Sequence, residues 1–317
     1  MKLSIVIPLF NEEIVIGTTY EALVQVLTEL IGRCMIDDYE IIFVDDGSGD
    51  RSLDILRKLA ADSAKVKVIS FSRNFGHQPA IAAGILHCSG EAVVSLDADL
   101  QDPPELIGEM IEKYRRGNDI VYAVRKARED DTFFKRASAR LFYRLMRVMG
   151  VDLVYDHADY RLISKRVVAA FRSIGESNLF LRGIFPYLGF RHEIVYYDRK
   201  ERYAGRTKYP LRKMLAFAWE GITSFTNVPL RFASLAGLLI SAASLLLVVW
   251  AFYEKFAGNT VPGWTSTVIP IFFIGGLNLL FLGLIGEYVG KIYLEVKRRP
   301  LFFIKETHNL EEFFPER

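Results

Sequence analysis

Cysteine is almost missing: the 317 residues hold two, Cys34 and Cys88, at no spacing that a metal site or redox pair uses. A disulfide framework is therefore excluded, and reduced thiols in a cytosolic setting are expected. Histidine is also scarce, and His157 stands without the Cys, His or Ser company that metal binding or nucleophilic catalysis needs. A structural role is expected for it. There is no internal repeat and no low-complexity segment. The first apolar run, Lys2 to Phe10, is too short and wrongly flanked for a signal peptide. Charge is missing from two long stretches, Phe232–Tyr253 and Phe256–Gly286. Each can cross a hydrocarbon layer about 30 Å thick, and no amphipathic layer remains to bury them. Two transmembrane helices are expected, Phe232–Tyr253 and Thr265–Gly286. Pro270, Gly275, Gly276 and Asn278 in the second suit close helix packing and an interhelical hydrogen bond.

The N-terminal half, by contrast, is rich in short apolar runs that alternate with amphipathic ones. Lys2–Phe10 reads as a buried strand and Ile14–Ile31 as the helix after it. Tyr39–Val44 is a second strand, ending in Asp45-Asp46-Gly47-Ser48 and followed by a helix from Ser52 to Ala61. Val66–Ser70 is a third, leading through Arg73-Asn74-Phe75-Gly76-His77 to a small-residue helix from Pro79 to His87. A fourth strand ends at the run Ser95-Leu96-Asp97-Ala98-Asp99-Leu100-Gln101-Asp102-Pro103-Pro104. Such alternation predicts an α/β fold with a mostly parallel, doubly wound sheet, whose ligands bind beyond the carboxyl ends of the strands. Asn11, Asp46, Gly76 and Asp99 all fall there.

Chemistry is densest at the fourth strand end. In an extended segment, alternate side chains point to one side, so Asp97, Asp99 and Gln101 can converge on a hard divalent cation. Mg²⁺ or Mn²⁺ accepts such oxygens and leaves positions open for phosphate oxygens. The plainer alternative is a pair of turn or cap aspartates ahead of a helix that begins near Pro103-Pro104.

Four segments in order, SIVIPLFNEE, FVDDGSGD, SRNFGHQPAIAAG and SLDADLQDPPE, resemble the family-2 glycosyltransferases of GT-A fold. The likeness is to the polyprenyl-phosphate group, which includes bactoprenol glucosyltransferases and dolichyl-phosphate mannose synthases, and it covers nearly the whole chain. The resemblance implies that Pro8, Phe10, Asn11 and Glu12 frame a nucleotide pocket, with Gly76 on the donor side, and that Asp46 accepts a hydrogen bond from the base. It implies that Asp97, Asp99 and Gln101 hold Mg²⁺ or Mn²⁺. Asp159, in the stretch Asp156-His157-Ala158-Asp159-Tyr160-Arg161-Leu162, corresponds to a family aspartate near the acceptor. Arg125 and Arg136 are similar to arginines that contact phosphates, and Arg202, Thr207 and Lys208 fall in an R-x-x-G-x-[ST]-K-Y element associated with phosphate and lipid-head binding. Each position also has a blander reading: a helix cap for Asn11 or Glu12, a turn for Asp45 or Asp46, a positive φ for Gly76, a buried partnership of Asp159 with Arg161.

Charge then places the parts. Seven Lys or Arg against one Glu lie between Arg199 and Lys213, a basic surface suited to anionic phosphate. Arg136, Arg140, Arg144 and Arg147 share one helical face. Pro210–Asn227 reads as an amphipathic helix lying in the membrane interface. Lys291, Lys297, Arg298 and Arg299 after the second span, and Arg231 before the first, put both ends in the cytoplasm. The expected organisation is a catalytic domain over 1–208, an interfacial region over 209–229, a membrane domain over 230–290, whose small anchor suits self-association, and a cytosolic tail over 291–317; the tail from Arg299 is expected as a short strand or extended chain returning toward the catalytic domain. The expected partners are a nucleotide sugar, a polyprenyl phosphate and membrane lipids, with no nucleic acid. The activity implied is inverting sugar transfer, with UDP-glucose the preferred donor. A processive polysaccharide synthase is disfavoured because more spans and a Gln-x-x-Arg-Trp motif are lacking. A non-catalytic scaffold or transporter is disfavoured because the DADLQ run is intact.

Overall fold

The computed structural model describes residues 1–126, 157–176, 179–198, 222–223, 226–257 and 264–310. The described residues up to 198, with 299–310, belong to one compact unit, and those from 222 to 298 to a second. Elements in chain order are β1 (Lys2–Leu9), α1 (Ile16–Gly32), β2 (Asp38–Asp45), α2 (Ser52–Asp62), β3 (Val66–Phe71), α3 (His77–Leu86), β4 (Ala92–Ser95), α4 (Leu106–Arg115), β5 (Ile120–Arg125), β6 (His157–Ser164), α5 (Lys165–Arg172), α6 (Leu181–Tyr187), β7 (His192–Tyr197), α7 (Val228–Phe256), α8 (Trp264–Lys297) and β8 (Ile304–His308).

The strands form one sheet in the order β7-β5-β6-β4-β1-β2-β3-β8. β1 runs parallel to β2 and β4, β2 to β3, and β5 to β7, while β6 and β8 are antiparallel to their neighbours. This is the mostly parallel, GT-A-like α/β arrangement expected. The central strands β1 and β4 are near-continuous apolar runs because both faces are covered. Leu3, Ile5, Ile7 and Leu9 of β1 join a core with Leu23 and Leu27 of α1, Leu56 of α2 and Met110 of α4. Truncating one of these leucines to Ala costs about 2–5 kcal/mol. The small-residue helix α3 takes the opposite face, and a Cβ on its Gly84 would stand 2.3 Å from Val6 Cγ1. The Ala and Gly content of α3 is therefore what lets it approach the sheet.

The chain lays down β1, β2 and β3 in one direction and then returns to place β4 on the far side of β1. A crevice opens at such a reversal, beyond the carboxyl ends of the two strands. The chain after Arg299 forms β8, antiparallel to β3.

The second unit consists chiefly of α7 and α8, of 29 and 34 residues, which cover Phe232–Tyr253 and Thr265–Gly286 and extend beyond them. Among the described residues one stretch, Phe273–Lys297, is long and apolar enough to cross a membrane. Phe232, Leu246, Phe273, Leu279 and Leu282 stand exposed along the two helices. Tyr288 donates from its hydroxyl to the Thr226 carbonyl at 2.7 Å, and Lys291 Nζ lies 2.6 Å from Thr223 Oγ1. Arg136 and its three companion arginines, Asp156, Arg202, Thr207, Lys208 and nearly all of the expected interfacial helix lie outside the described residues.

Candidate active site

Two loops meet at the carboxyl ends of β1 and β2. Asn11 adopts φ 56°, a left-handed conformation that Asn tolerates better than most residues. Its N–H donates to Ser48 Oγ at 2.9 Å and its Oδ1 accepts from Gly49 N at 2.8 Å, while Glu12 N donates to Ser52 Oγ at 3.0 Å. Asn11 thus latches the first loop to the second. The two aspartates that end β2 divide their labour. Asp45 makes the turn, accepting from Ser48 N and Ser70 Oγ. Asp46 accepts from Phe75 N at 2.7 Å and Gly76 N at 2.9 Å, which fastens the loop after β3 to the end of β2. Burial raises the Asp46 carboxyl above its ordinary range despite those two amides. Gly47, directly after Asp46, is obligatory: at φ 71° a Cβ would lie 2.5 Å from the Arg73 carbonyl carbon.

These loops and the end of β4 enclose a cleft of about 350 Å³ lined by Pro8, Leu9, Phe10, Glu12, Asp46, Asn74, Gly76, His77, Ala80, Asp97, Ala98 and Asp99. The expected donor residues Pro8, Phe10, Glu12, Asp46, Gly76 and Asp97 therefore share one wall with Asp99. Asn11 and Gln101 do not line it.

The acidic run departs from its expected geometry. β4 ends at Ser95, and residues 98–100 turn, with Leu100 at φ 56°. Strand alternation therefore does not bring Asp97, Asp99 and Gln101 together, as the extended reading required. A turn brings Asp97 and Asp99 to the cleft, and Gln101 is buried with its N–H on Asp99 Oδ1 at 3.1 Å. The left-handed Leu100 costs about 1–2 kcal/mol, strain of the kind that collects at functional loops.

The loop is tied down from behind by a residue that the sequence reading passed over. Asp102 is buried and accepts a short hydrogen bond from the Tyr197 hydroxyl, with Arg125 Nη2 at 3.5 Å. Arg125 Nε also donates to Tyr197 at 3.0 Å, and Tyr160 donates from its hydroxyl to the Pro103 carbonyl at 3.0 Å. The described contacts of Arg125 are thus with the loop's supports.

A charged chain crosses from the cleft to β6. His77, at the start of α3, places Nε2 3.3 Å from Asp97 Oδ1 and 3.6 Å from Asp159 Oδ2. Asp159 meets Arg161 Nη2 at 2.5 Å and Arg182 Nη2 at 3.2 Å. Burial alone would raise its carboxyl, but Arg182, His77 and Arg161 hold it well below the usual carboxylate range. Burial works against the charged form of His77 too, yet Asp159 and Asp97 raise it. The partnership of Asp159 with Arg161 is therefore real, and Arg182 and His77 join it. His77 was visible in the Arg73–His77 run; Arg182 lies 23 positions from Asp159 in the chain and carries no local signal.

Whether the site suits a divalent cation turns on Asp97. Among the described residues its Oδ1, shut away from solvent, makes no hydrogen bond and has only the His77 ring nitrogen 3.3 Å away as an ion-pair neighbour, and its carboxyl is pushed up to about 6 by burial and by Asp159, Asp102 and Asp99, against the pull of His77. A cation there would relieve both the desolvation and the crowding of like charge. The residues fit such an ion, although among the described residues no set of three or more His, Cys, Asp and Glu converges as a closed metal centre.

A sheet with its crevice at the reversal and an acidic turn facing it defines an α/β domain that takes its ligand beyond the strand ends. Residues 4–171 match the model of Glycosyl transferase family 2. An uncharacterized glycosyltransferase, YkcC of Bacillus subtilis (strain 168), is 46% identical over 98% of this chain and 95% of its own. The SfII prophage-derived bactoprenol glucosyl transferase of Shigella flexneri is 41% identical over 97% of this chain and 99% of its own. Glucosyl-3-phosphoglycerate synthase from Mycobacterium tuberculosis, solved in complex with Mn²⁺, UDP and phosphoglyceric acid, overlaps with TM-score 0.46 at 19% identity, over 70% of this chain and 76% of that one. The chain belongs to glycosyltransferase family 2 and is a glycosyltransferase.

Proposed function

We propose that the protein transfers glucose from UDP-glucose to the phosphate of a polyprenol at the cytoplasmic face of a membrane that α7 and α8 cross. The observation that carries this reading is the meeting of Asp46, Asp97, Asp99 and His77 in one cleft, from which His77 leads to Asp159 and Arg182. The relative of Shigella flexneri, a bactoprenol glucosyl transferase by name and similar along nearly its whole length, supports the acceptor class. The apolar side chains exposed on both long helices support two spans.

In this reading the base lies toward Asp46 and the diphosphate toward Asp97 and Asp99. Mg²⁺ or Mn²⁺ held by Asp97 and Asp99, with Gln101 near, would neutralise charge gathering on the leaving diphosphate. His77, charged through its two carboxylate neighbours, fixes the rotamers of Asp97 and Asp159 together. Asp159 is kept ionised by Arg182 and Arg161, so it is a poor proton acceptor and serves to orient Arg182 and the acceptor. No strong base is required, since a phosphate monoester has a second pKa of about 6. Arg136, Arg202, Thr207 and Lys208 hold the acceptor phosphate opposite the leaving group, and in-line displacement turns an α-linked donor into a β-linked product.

The test is transfer of labelled glucose from UDP-glucose into an organic-extractable lipid by membranes containing the protein and undecaprenyl phosphate. Product that appears only with both substrates and a divalent cation supports the reading. Absence of transfer from UDP- and GDP-sugars alike refutes it.

A further inference from the structure

The segment that follows α8 in the chain reaches the loop after β3 with aromatic side chains. Phe302 stacks on Phe71, the last residue of β3, with ring centroids 4.9 Å apart and planes 12° from parallel. Phe303 lies 6.0 Å from Phe75, and its carbonyl accepts the Ser72 N–H at 2.9 Å. Phe75 is enclosed on other sides as well: the edge of Phe71 meets it at 5.7 Å, and the Arg73 guanidinium stands 4.1 Å over its ring. Two anchors keep the segment seated. Arg57 pairs with Glu306 of β8 at 2.6 Å, and Asn309 Nδ2 donates to the carbonyls of Ala60 and Val66.

The consequence falls on the cleft. The N–H groups of Phe75 and Gly76 are the ones that Asp46 accepts, and Asn74 and Gly76 belong to the same wall. Phe302 and Phe303 are not part of that wall, so they act on it through Phe75. Removing a ring from this stack releases the loop that carries those two amides, and with it the orientation of Asp46.

We infer that Phe302 and Phe303 are positioning residues for the nucleotide end of the cleft, so that a segment outside the family-matched residues 4–171 sets the affinity for the donor. The inference rests on the donor reading above and deepens it. Phe303 is the better probe because it is 55% exposed, and its truncation removes little core. The experiment uses the full chain in detergent. Hydrogen exchange is followed at residues 73–77, and UDP is titrated in the presence of Mn²⁺, with GDP as the alternative base. Aromatic pairs of this kind are worth about a three- to tenfold change in an equilibrium. Phe303→Ala is therefore expected to speed exchange at Phe75 and Gly76 about three- to tenfold, to weaken nucleotide binding by a similar factor, and to raise the donor KM without moving the acceptor KM. Phe303→Tyr, which keeps the ring, restores all three. Unchanged exchange at these amides in both Phe303→Ala and Phe302→Leu overturns the inference. So does equal loss of affinity for donor and acceptor, or a Tyr variant as impaired as the Ala one. If the wild-type chain binds neither UDP nor GDP, the donor reading itself falls, and the exchange measurement still decides whether the segment positions the loop.

Discussion

Glu40 offers the clearest quantitative test of how the sheet is held, at the end of β2 remote from the cleft. It is 1% exposed, and a buried carboxylate survives only if its oxygens are fully served. Ser4 Oγ donates to it at 2.6 Å and Ser89 N at 2.7 Å, while the ammonium groups of Lys67 and Lys2 lie 2.8 Å and 3.0 Å away. Burial alone would raise the carboxyl, but Lys67, Ser4 and Ser89 outweigh it and lower it from 4.5 to about 2. At about 1.4 kcal/mol per pH unit, that difference amounts to about 3 kcal/mol of folding free energy. Because the folded value lies below the unfolded one, the contribution is complete above the unfolded value of 4.5 and is lost as the pH falls through about 2. Glu40→Gln keeps an acceptor for Ser4 or Ser89 but leaves Lys67 without its counter-ion. For a chain of this size, about 3 kcal/mol lowers Tm by roughly 6–10 °C at pH 7, and the gap between wild type and variant narrows as the solution is acidified toward about pH 3. The comparison is made by thermal unfolding in detergent across that range, with transfer measured at a permissive temperature to confirm that folded variant keeps its kcat. Equal melting temperatures at pH 7, or a gap indifferent to acid, would refute the reasoning.

Three further outcomes are expected. Asp99→Asn abolishes most transfer while leaving the chain folded and membrane-inserted, as does excess chelator on the wild type; normal turnover in either case removes the metal from the mechanism. Asp159→Asn loses rate at every pH from about 6.5 to 8.5, since the carboxylate that Arg182 and Arg161 hold ionised orients rather than accepts a proton; recovery toward wild type in alkali would make it a base. Lys208→Ala raises the KM for polyprenyl phosphate far more than that for the nucleotide sugar, and equal effects on both would move Lys208 to the donor side.

The alternation of strand and helix from β1 to β4 was legible in the sequence because a parallel sheet covered on both faces needs mainly apolar runs, and Lys2–Leu9, Asp38–Asp45 and Val66–Phe71 supply them around a few charged positions. The small-residue run and the charge-free stretches were legible as the helices α3, α7 and α8, because helix period and hydropathy are local properties. Membership of family 2 was legible in the four ordered motifs for the same reason, each being a single loop at a strand end. What only the tertiary structure decided is how those loops meet. Strand alternation suggested three metal-facing side chains, yet the chain turns at Leu100 and sends Gln101 inward. Asn11 proved a latch between loops, and Arg125 a support for Asp102 and Tyr197. Asp159 acquired His77 and Arg182 as partners from elements far apart in the chain. Pairings of that kind depend on which strands become neighbours and where the crevice opens, and no run of adjacent residues records either.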